Sequence, residues 1–380
     1  MTLTRTPYTR HKRKVFVAMS GGVDSSVAAA LLVEQGYDVT GAFMVNYDGE
    51  NNINANAANN ANTCWRRDYQ DALRVAAKLG IKLLRLNFTK EYKNKVLDYM
   101  YRGYEAGRTP NPDVLCNKYI KFGVWLDKAR KLGFDYLATG HYARLSQEIL
   151  NSKSKILSPK EKLQVTSYKL RESKDKNKDQ TYFLNQLSQK QLQRILFPIG
   201  GYLKSEVRQL AKKFGLPTAN KEESMGICFV GEVKMKEFLG KKIKSKPGDI
   251  TTSDGEIIGK HDGLAFYTIG QRIGIHHKPL FVINKNIKKN QLIVGYENDP
   301  MLYKKEALVE NVHWISRQNP QFPLKCKVRL RHRQPLQDCL VIRIGRYLSV
   351  RFNNPQRAVT PGQFAVFYLP GECLGGGVIN

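Results

Sequence analysis

No run of apolar residues in the sequence approaches the roughly 20 residues needed to cross a bilayer. The basic start leads into a strand rather than into an apolar secretory segment, so we expect a cytoplasmic protein without membrane association. The six cysteines contain no Cys-x-x-Cys pair, and this absence disfavours a zinc site. We therefore predict no bound metal within the protein itself, and in a reducing compartment we expect the cysteines to be thiols.

Acidic residues are also scarce, because 33 Asp and Glu oppose 62 Lys and Arg and leave a formal charge of +29. A surface this basic attracts polyanions, of which nucleic acid is the first candidate. A general bias toward Lys, Asn and Ile, which are abundant throughout the chain, is the alternative explanation. The 380 residues, 42% of them apolar, are enough for two or three globular domains.

The first part of the chain alternates strands with helices. Residues 15–19 predict a buried strand and residues 25–35 predict a helix, and the pattern then repeats. Such alternation predicts an α/β domain with a Rossmann-like, doubly wound parallel sheet, which binds ligands at the carboxyl ends of its strands. An Asn-rich stretch at 49–62 predicts a flexible loop, and the polar stretch at 146–164 predicts a surface insertion or an irregular hairpin.

After about residue 232 the pattern changes to short strands separated by Gly, Asn and Asp turns. Short strands at regular spacing are typical of small β-barrels. We therefore predict three domains: an α/β domain at 1–232, a small β-rich central domain at 233–305 and a C-terminal β-barrel at 306–380.

The first predicted strand is followed by residues 20–26, SGGVDSS, which lead directly into a helix. Glycines, hydroxyl groups and a helix N-terminus together suit a phosphate or a pyrophosphate. The lysine of the common ATP-binding P-loop is missing, and the pattern suits an enzyme that cleaves ATP between its α and β phosphates. Asp24 could hold Mg²⁺ through water or orient the loop. A plain capped turn is the alternative, but capping needs only one or two of these seven residues.

Two cysteines stand in distinctive local settings. Cys116 lies three residues after Asp113 in a Pro-rich loop that opens a helix, where a thiol has a lowered pKa and an aspartate could move a proton. Cys228 lies between two glycines in the apolar stretch 224–231. Either cysteine alone would more often be a small buried hydrophobe. Their settings, in a chain with an ATP-cleaving loop, favour a chemical role.

Eight motifs follow one another along nearly the whole chain. They read AMSGGVDSS, RTPNPDVLCNKYIKFG, ATGHYAR, KDQTYFL, GICFVG, TIGQR, VTPGQFAVFY and CLGGGVI. In this order they resemble the motifs of MnmA-type tRNA 2-thiouridylases, whereas other N-type ATP pyrophosphatases such as GMP synthetase share only the first. The chain departs from the family pattern at Ala18, where Gly is common, at Tyr119, where Glu is common, and in a shortened region at 270–285.

The resemblance implies a tRNA-uridine 2-sulfurtransferase. Such an enzyme uses ATP, with Mg²⁺, to adenylate O2 of the wobble uracil, and it then replaces that oxygen with sulfur from a cysteine persulfide. By resemblance Cys228 carries the persulfide, Cys116 is the nucleophile that later forms a disulfide with it, and Asp113 is the acid/base group. The implied partners are tRNAs such as those for Lys, Glu and Gln, and a sulfur donor that is a cysteine desulfurase or a sulfur-carrier protein.

The resemblance also implies two sets of binding residues. The nucleotide site would comprise Ala18, Met19, Ser20, Gly21, Gly22, Val23, Asp24, Ser25, Met44 and Gly140. The tRNA site would comprise Asn111, Pro112, Asp113, His141, Lys178, Asp179, Gln180, Arg331, His332 and Gln363, of which the first three contact the target base. The residues alone leave structural alternatives, because His141 could be a core histidine and Lys178 could belong to a solvated charged turn.

Two other functions stay open at this point. A PP-loop ATP pyrophosphatase that acts as a ligase on a small molecule would turn over ATP without tRNA and without either cysteine. A non-catalytic, basic RNA-binding protein with a vestigial loop would bind RNA normally after Asp24→Ala. The intact loop and the two cysteines argue against the second of these alternatives.

Overall fold

The computed structural model describes residues 12–47, 64–151, 164–223, 226, 228, 230, 233–274, 279–316 and 319–380. The predicted flexible loop at 49–62 lies outside the described residues, as does most of the predicted insertion at 146–164. The described ends of that second stretch belong to the two strands of a hairpin. None of the helices in the described part of the chain has the length and apolar character needed to cross a bilayer.

The described residues form strands and helices in an order that changes from mixed to all-β along the chain. The strands are β1 (Lys14–Ala18), β2 (Asp38–Val45), β3 (Lys82–Asn87), β4 (Tyr136–Ala138), β5 (Ala143–Asn151), β6 (Gln164–Glu172), β7 (Ile195–Leu196), β8 (Gly248–Thr252), β9 (Ile257–His261), β10 (Arg272–Ile273), β11 (Leu280–Asn286), β12 (Gln291–Gly295), β13 (Tyr303–Trp314), β14 (Leu324–Arg329), β15 (Gln337–Ile344), β16 (Tyr347–Arg357), β17 (Phe364–Leu369) and β18 (Glu372–Ile379). The α-helices are α1 (Val23–Glu34), α2 (Cys64–Leu79), α3 (Thr89–Tyr92), α4 (Asp98–Glu105), α5 (Pro112–Leu115), α6 (Leu126–Lys131), α7 (Gln189–Leu192), α8 (Lys204–Lys213) and α9 (Met235–Gly240).

The N-terminal part is built on a five-stranded parallel sheet in the order β3-β2-β1-β4-β7. Along β1, Val15 and Val17 face one core while Phe16 faces another, because successive side chains of a strand point to opposite faces. The sheet is therefore covered on both sides, which confirms the predicted doubly wound α/β fold. Its topology brings the carboxyl ends of its strands to one edge.

Two helical stretches of this part contain π-helical segments. Residues Lys93–Leu97 join α3 to α4, so that one continuous helical stretch runs from Thr89 to Glu105. Residues Cys116–Trp125 join α5 to α6, with non-helical backbone angles at Gly123. Such wider turns are frequent at functional sites, and Cys116 is the first residue of the second one.

The central sheet has the order β10-β11-β12-β8-β9 around a small apolar core. Its strand β11 contacts the N-terminal part, because Lys285 donates a hydrogen bond to the carbonyl oxygen of Gly107 at 3.0 Å. Burial lowers the pKa of Lys285 to about 8. The central region is thus packed directly on the end of the helical stretch that contains α4.

The last six strands form a closed antiparallel barrel in the order β13-β16-β15-β14-β17-β18, because β13 also pairs with β18. This confirms the predicted C-terminal barrel. Strand β18 pairs in addition with β6, where Cys373 lies opposite Leu170 and Glu372 lies opposite Arg171. The β5–β6 hairpin therefore extends the barrel sheet and joins it to the N-terminal part.

Candidate active site

The loop between β1 and α1 is held in shape by its own hydroxyl groups. Ser25 Oγ accepts a hydrogen bond from the backbone N–H of Ser20 at 3.1 Å and donates one to the carbonyl oxygen of Gly22 at 3.1 Å. A Cβ at Gly21, whose φ is +76°, would collide with the carbonyl oxygen of Asp68. The result is a compact turn at the N-terminus of α1, where backbone N–H groups suit an anion.

Strand β4 ends directly against this loop. A Cβ at Gly140 would lie 2.7 Å from the backbone nitrogen of Ser25, so only glycine allows the approach. The loop carboxylate is also held, since Asp24 Oδ1 accepts hydrogen bonds from the Tyr142 hydroxyl at 2.9 Å and from Lys204 Nζ at 2.7 Å. The ends of β1 and β4 therefore meet at the glycine loop. Among the other residues predicted for the nucleotide site, Met44 is buried near the end of β2.

Two lysines that the sequence analysis missed also reach the loop. Lys221 Nζ donates to the carbonyl oxygen of Gly21 at 3.0 Å and forms ion pairs with Asp68 at 2.7 Å and Asp71 at 2.6 Å. Lys204 holds the loop carboxylate from the start of α8. These lysines lie 180 and 200 residues from their loop partners, so no local pattern could have identified them.

Cys116 and Cys228 are brought together by the fold, and their thiol groups hydrogen-bond to each other. Cys116 is 0% exposed, whereas Cys228 is half-buried. The expectation that a helix start lowers the pKa of Cys116 is wrong, because burial and the neighbouring Cys228 raise that pKa well above its ordinary value. The hydrogen bond with Cys116 lowers the pKa of Cys228 against the opposing effect of burial, and the ammonium group of Lys121 lowers it further. Cys228 is therefore the more acidic thiol of the pair.

Three more side chains surround Cys228. Its backbone N–H donates to Asp113 Oδ1 at 3.0 Å, and its carbonyl oxygen accepts a hydrogen bond from the Tyr92 hydroxyl at 2.7 Å. Burial raises the pKa of Asp113, with the Cys228 N–H opposing that shift. Burial acts to lower the pKa of Lys121, but the sulfur atoms of Cys228 and Cys116 raise it on balance. A charged ammonium group therefore stands beside the more acidic thiol.

A cavity of ≈ 250 Å³ opens beside Asp113 and is lined also by Asn111, Pro112 and Gln363. Asn111 Nδ2 donates to Gln363 Oε1 at 3.2 Å, and Gln363 Nε2 donates to the carbonyl oxygen of Thr109 at 2.8 Å. Gln363 comes from the turn before β17 of the barrel. The barrel thus supplies one side of the cavity beside Asp113, the residue whose carboxylate accepts the Cys228 N–H.

The structure places the other residues predicted to contact tRNA at different depths. Lys178 pairs with Glu223 at 2.6 Å near the surface, and Arg331 is exposed. Asp179 is only 2% exposed, and its Oδ2 accepts a hydrogen bond from the guanidinium group of Arg329 at 3.3 Å. The carboxylate of Asp179 therefore links the N-terminal part to barrel strand β14.

Gln180 and His332, two of the residues predicted to contact tRNA, form hydrogen bonds with backbone groups. Gln180 Oε1 accepts a hydrogen bond from the backbone N–H of Tyr142 at 3.0 Å. His332 Nε2 hydrogen-bonds to the carbonyl oxygen of Asp179 at 3.1 Å, and its ring lies 4.4 Å from that of Phe183. The His332 contacts fix the turn between β6 and β7 against the barrel, and the Gln180 contact joins the same turn to the start of β5.

His141 lies in the interior, with 8% of its surface exposed. Its Nδ1 hydrogen-bonds to the Thr139 hydroxyl at 2.6 Å, and its ring packs between those of Phe122 and Phe197. Burial, together with the positive charge of Lys121, lowers the pKa of His141 well below its ordinary value. The imidazole is therefore neutral, and its predicted contact with tRNA stays a prediction.

Tyr119 and the cysteines of the barrel have simpler surroundings than the residues above. Tyr119 is exposed, and its ring centroid lies 5.2 Å from Lys118 Nζ and 5.9 Å from Lys95 Nζ. Cys326 and Cys339 face each other across two barrel strands and are buried, as is Cys373. In the part of the chain that the structure describes, no group of three or more His, Cys, Asp or Glu side chains is arranged to hold a metal ion.

A parallel sheet whose first strand runs through a lysine-free glycine and serine loop into a helix defines an ATP-utilising protein of the PP-loop class. Three family models match successive parts of the chain. They are described as a tRNA methyl transferase HUP domain (residues 13–232), a tRNA methyl transferase PRC-barrel domain (236–296) and an aminomethyltransferase beta-barrel domain (304–379).

Several relatives match this chain over almost its whole length. The tRNA-specific 2-thiouridylase MnmA of Coxiella burnetii (strain CbuG_Q212) is 46% identical over 388 residues, which cover 99% of this chain and 98% of that protein. The protein of the same name from Geobacillus thermodenitrificans is 46% identical, covering 97% of this chain and 95% of that one. The one from Halalkalibacterium halodurans is 47% identical, covering 97% and 94%. The chain belongs to the tRNA-specific 2-thiouridylase family.

Proposed function

We propose that this chain catalyses the ATP-dependent 2-thiolation of the wobble uridine of tRNA. The observation that carries the proposal is the cysteine pair, in which the more acidic Cys228 contacts the buried Cys116 beside Asp113 and Lys121. The loop that suits a pyrophosphate belongs to the same domain. The full-length similarity to proteins named tRNA-specific 2-thiouridylase supports the same reaction.

The first step is activation of the uracil oxygen. O2 of uracil is a poor leaving group, and transfer of AMP from ATP to this oxygen, with release of pyrophosphate, allows it to leave later as part of AMP. We assign the nucleotide to the loop Ala18–Ser25, Met44 and Gly140. Lys204 and Lys221 place positive charge at the same loop. We expect ATP to bind as its Mg²⁺ complex. Asp24 is the carboxylate of the loop that we assign to hold Mg²⁺ through water or to orient the loop.

The second step exchanges oxygen for sulfur. The donor leaves one sulfur atom on Cys228 as a persulfide, whose terminal sulfur attacks C2 while AMP departs with the former uracil oxygen. The Cys116 sulfur then attacks the Cys228 sulfur. The persulfide S–S bond breaks, its electron pair stays on the sulfur bound to C2, and a Cys116–Cys228 disulfide forms. A cellular thiol reductant restores the two thiols.

Asp113 is the proposed acid/base group of this sequence. Burial keeps Cys116 protonated, so its attack needs a group that removes the proton. The Asp113 carboxylate lies close enough to Cys116 to raise the pKa of that thiol, and it is held by the Cys228 N–H at 3.0 Å. We therefore assign proton transfer from Cys116 to Asp113.

The tRNA contacts are part of the same proposal. We assign the target base to the cavity lined by Asn111, Pro112 and Asp113 and closed by Gln363, which a flipped base could enter. The remaining assigned contacts are His141, Lys178, Asp179, Gln180, Arg331 and His332. We also propose a division into domains at 1–232, 233–305 and 306–380. The +29 charge suits binding of tRNAs such as those for Lys, Glu and Gln in the cytoplasm, with a cysteine desulfurase or a sulfur-carrier protein as the donor.

The test is a reconstituted reaction with purified full-length protein, ATP, Mg²⁺, a persulfide source and unmodified tRNA. Sulfur-sensitive gel mobility reports the thiolated tRNA, and pyrophosphate release reports the adenylation step. We expect Cys116→Ser and Cys228→Ser to abolish thiolation while both variants still bind ATP. Cys326→Ser, which removes a buried thiol of the barrel, is the matched control and is expected to retain activity.

Two outcomes would contradict the proposal. Thiolated tRNA from either active-site variant would exclude the roles assigned to the two cysteines. Pyrophosphate release that needs neither tRNA nor the cysteines, together with no thiolated product from the wild-type protein, would favour a PP-loop ligase that acts on a small molecule.

A further inference from the structure

A second cavity, of ≈ 950 Å³, lies along the helical stretch Thr89–Glu105 and is not explained by the reaction described for the cysteine pair. We call it the helix groove. The lining residues on which the argument depends are Asn46, Tyr47, Lys90, Lys93, Tyr101 and Arg102. None of the residues assigned to the nucleotide loop or to the cysteine pair lines it.

The charge of the helix groove is strongly positive. Lys90, Lys93 and Arg102 line it, and none of them forms an ion pair with a residue that the structure describes. Lys242 adds a fourth positive charge, and Asp98 is the one acidic residue among the described residues of the lining. Lys90, Lys93 and Arg102, which have no ion-pair partner among the described residues, are therefore the groups that would attract a phosphate.

The floor of the groove carries an amide group to which no described residue forms a hydrogen bond. Asn46 is only 2% exposed, and neither its Nδ2 nor its Oδ1 has a hydrogen-bond partner among the described residues. Leaving a buried polar group unpaired costs about 1–3 kcal/mol. Asn46 therefore offers one donor and one acceptor side by side to a ligand, and the edge of a nucleobase presents the complementary pair.

The walls of the groove are aromatic and firmly packed. The ring of Tyr101 stacks on that of Phe238 at 5.9 Å and 21°, and Tyr47 packs edge-on against the same ring at 6.2 Å. Phe238 belongs to α9 and is buried. Aromatic side chains beside a cationic groove are the usual platform for the bases of single-stranded nucleic acid.

The helix groove also lies close to the cysteine pair. Tyr92 belongs to the same helical stretch, and its hydroxyl group contacts the carbonyl oxygen of Cys228 from the buried face. The groove runs along another face of that stretch. Because a helix is roughly 10 Å across, a base at Cys228 and a ligand in the groove would be separated by about one helix diameter.

We propose that the helix groove binds one splayed-out nucleotide of the RNA substrate that flanks the target uridine. Its phosphate contacts Lys90, Lys93 and Arg102, and its base edge pairs with Asn46. This inference rests on the proposed function and adds a second base-binding pocket to it. The pocket would hold the neighbouring nucleotide while the target base enters the smaller cavity.

The role of the positive charge of the helix groove is tested by measuring RNA binding to the full-length protein. Fluorescence anisotropy gives the affinity over a range of salt concentrations. We expect Lys93→Gln to weaken binding of unmodified tRNA about five- to tenfold and to reduce the salt slope by about 1. Lys95→Gln is the matched control, because Lys95 is exposed on the same stretch but does not line the groove. Equal losses for the two variants would overturn the proposal in favour of general charge attraction.

The base contact is tested with anticodon stem-loop RNAs that each lack one base beside the wobble uridine. We expect one of these abasic RNAs to bind the wild-type protein about tenfold more weakly than the intact RNA. Asn46→Ala should bind that abasic RNA and the intact RNA equally. The variant loses no described hydrogen bond, so we expect an unchanged or higher melting temperature.

The other outcomes overturn the inference or separate it from the proposed function. If every abasic RNA affects the wild-type protein and Asn46→Ala alike, the groove holds no base. If RNA binding is unchanged in both groove variants but sulfur transfer from a carrier protein slows, the groove is a protein-docking surface. If wild-type protein shows the expected binding pattern but never thiolates tRNA, the proposed function fails while the groove assignment stands.

Discussion

Tyr92 donates a hydrogen bond to the carbonyl oxygen of Cys228 across 136 residues of sequence, at 2.7 Å. Tyr92 is fully buried, and burial raises the pKa of its hydroxyl group well above the ordinary value, so the group remains a donor at all physiological pH values. The bond ties the segment that carries the more acidic thiol to the helical stretch that also lines the helix groove. Both pockets therefore depend on the position of one helix.

Removal of this hydroxyl group should affect sulfur transfer more than adenylation. Tyr92→Phe keeps the buried ring but leaves the Cys228 carbonyl oxygen without this donor, a loss on the order of 1 kcal/mol. We expect the thiolation rate to fall about fivefold while pyrophosphate release changes less than twofold. Single-turnover assays of both products check this, and an equal fall in both rates would contradict a role confined to Cys228.

Lys121 should set the pH at which Cys228 reacts. The thiolate is the reactive form, and the lowered pKa of Cys228 means that alkylation by iodoacetamide levels off at lower pH than for an ordinary thiol. Lys121→Met removes the favourable positive charge, so the pKa rises and the pH profile shifts to higher pH. Peptide mass spectrometry measures the fraction of Cys228 that is alkylated at each pH. Lys118→Met is the control, because Lys118 Nζ bonds to Gln186 instead, and a profile that shifts equally in both variants would exclude the assignment.

Asp113 should be needed for chemistry but not for the local structure. The amide oxygen of Asp113→Asn can still accept the hydrogen bond from the Cys228 N–H, but it cannot take the proton of Cys116. We expect persulfide loading of Cys228 to persist and thiolation to fall by roughly 100-fold, the usual scale for a lost acid/base group. Intact-protein mass spectrometry and the tRNA assay check the two parts. Asp127→Asn, at an exposed position of α6, should behave as wild type.

Gly21 should be essential for the shape of the nucleotide loop. Gly21→Ala and Gly36→Ala both place a side chain at positive φ, which costs about 1–2 kcal/mol in each case. Only the Cβ at residue 21 would also collide with the Asp68 carbonyl oxygen, since nothing lies within 4 Å of the one at residue 36. We expect ATP binding to weaken more than tenfold in Gly21→Ala alone, as measured by calorimetry. Similar ATP affinity in both variants would show that the contact is unimportant.

The sequence was most informative where function depends on consecutive residues. Alternating strands and helices predicted the doubly wound sheet, and the glycine and serine string predicted the loop at the end of β1, because local backbone geometry and hydrophobic pattern determine both. The short strands after residue 232 predicted the barrel for the same reason. The fold class could therefore be predicted from patterns within individual segments.

The residues that the sequence analysis missed depend on tertiary contacts. Lys204 and Lys221 stand among many other lysines, and only the packing of α8 and its following turn against the loop distinguishes them. Lys121 and Tyr92 likewise can be recognised as part of the site only because the helical stretches bring them to Cys228. The helix groove has no sequence motif, because it combines the end of β2 with one face of a helix and with the start of the central region.

The pairing of β6 with β18 has a consequence for biosynthesis. Glu172 and Arg171 of the hairpin meet the chain again at Gly371 and Glu372, some 200 residues later. Ribosomes add roughly 5–20 residues per second, so the hairpin waits about 10–40 seconds for its partner strand while the intervening chain is made. Throughout that interval the edge of β6 that will receive β18 is open, and an open strand edge is a template on which another chain can pair.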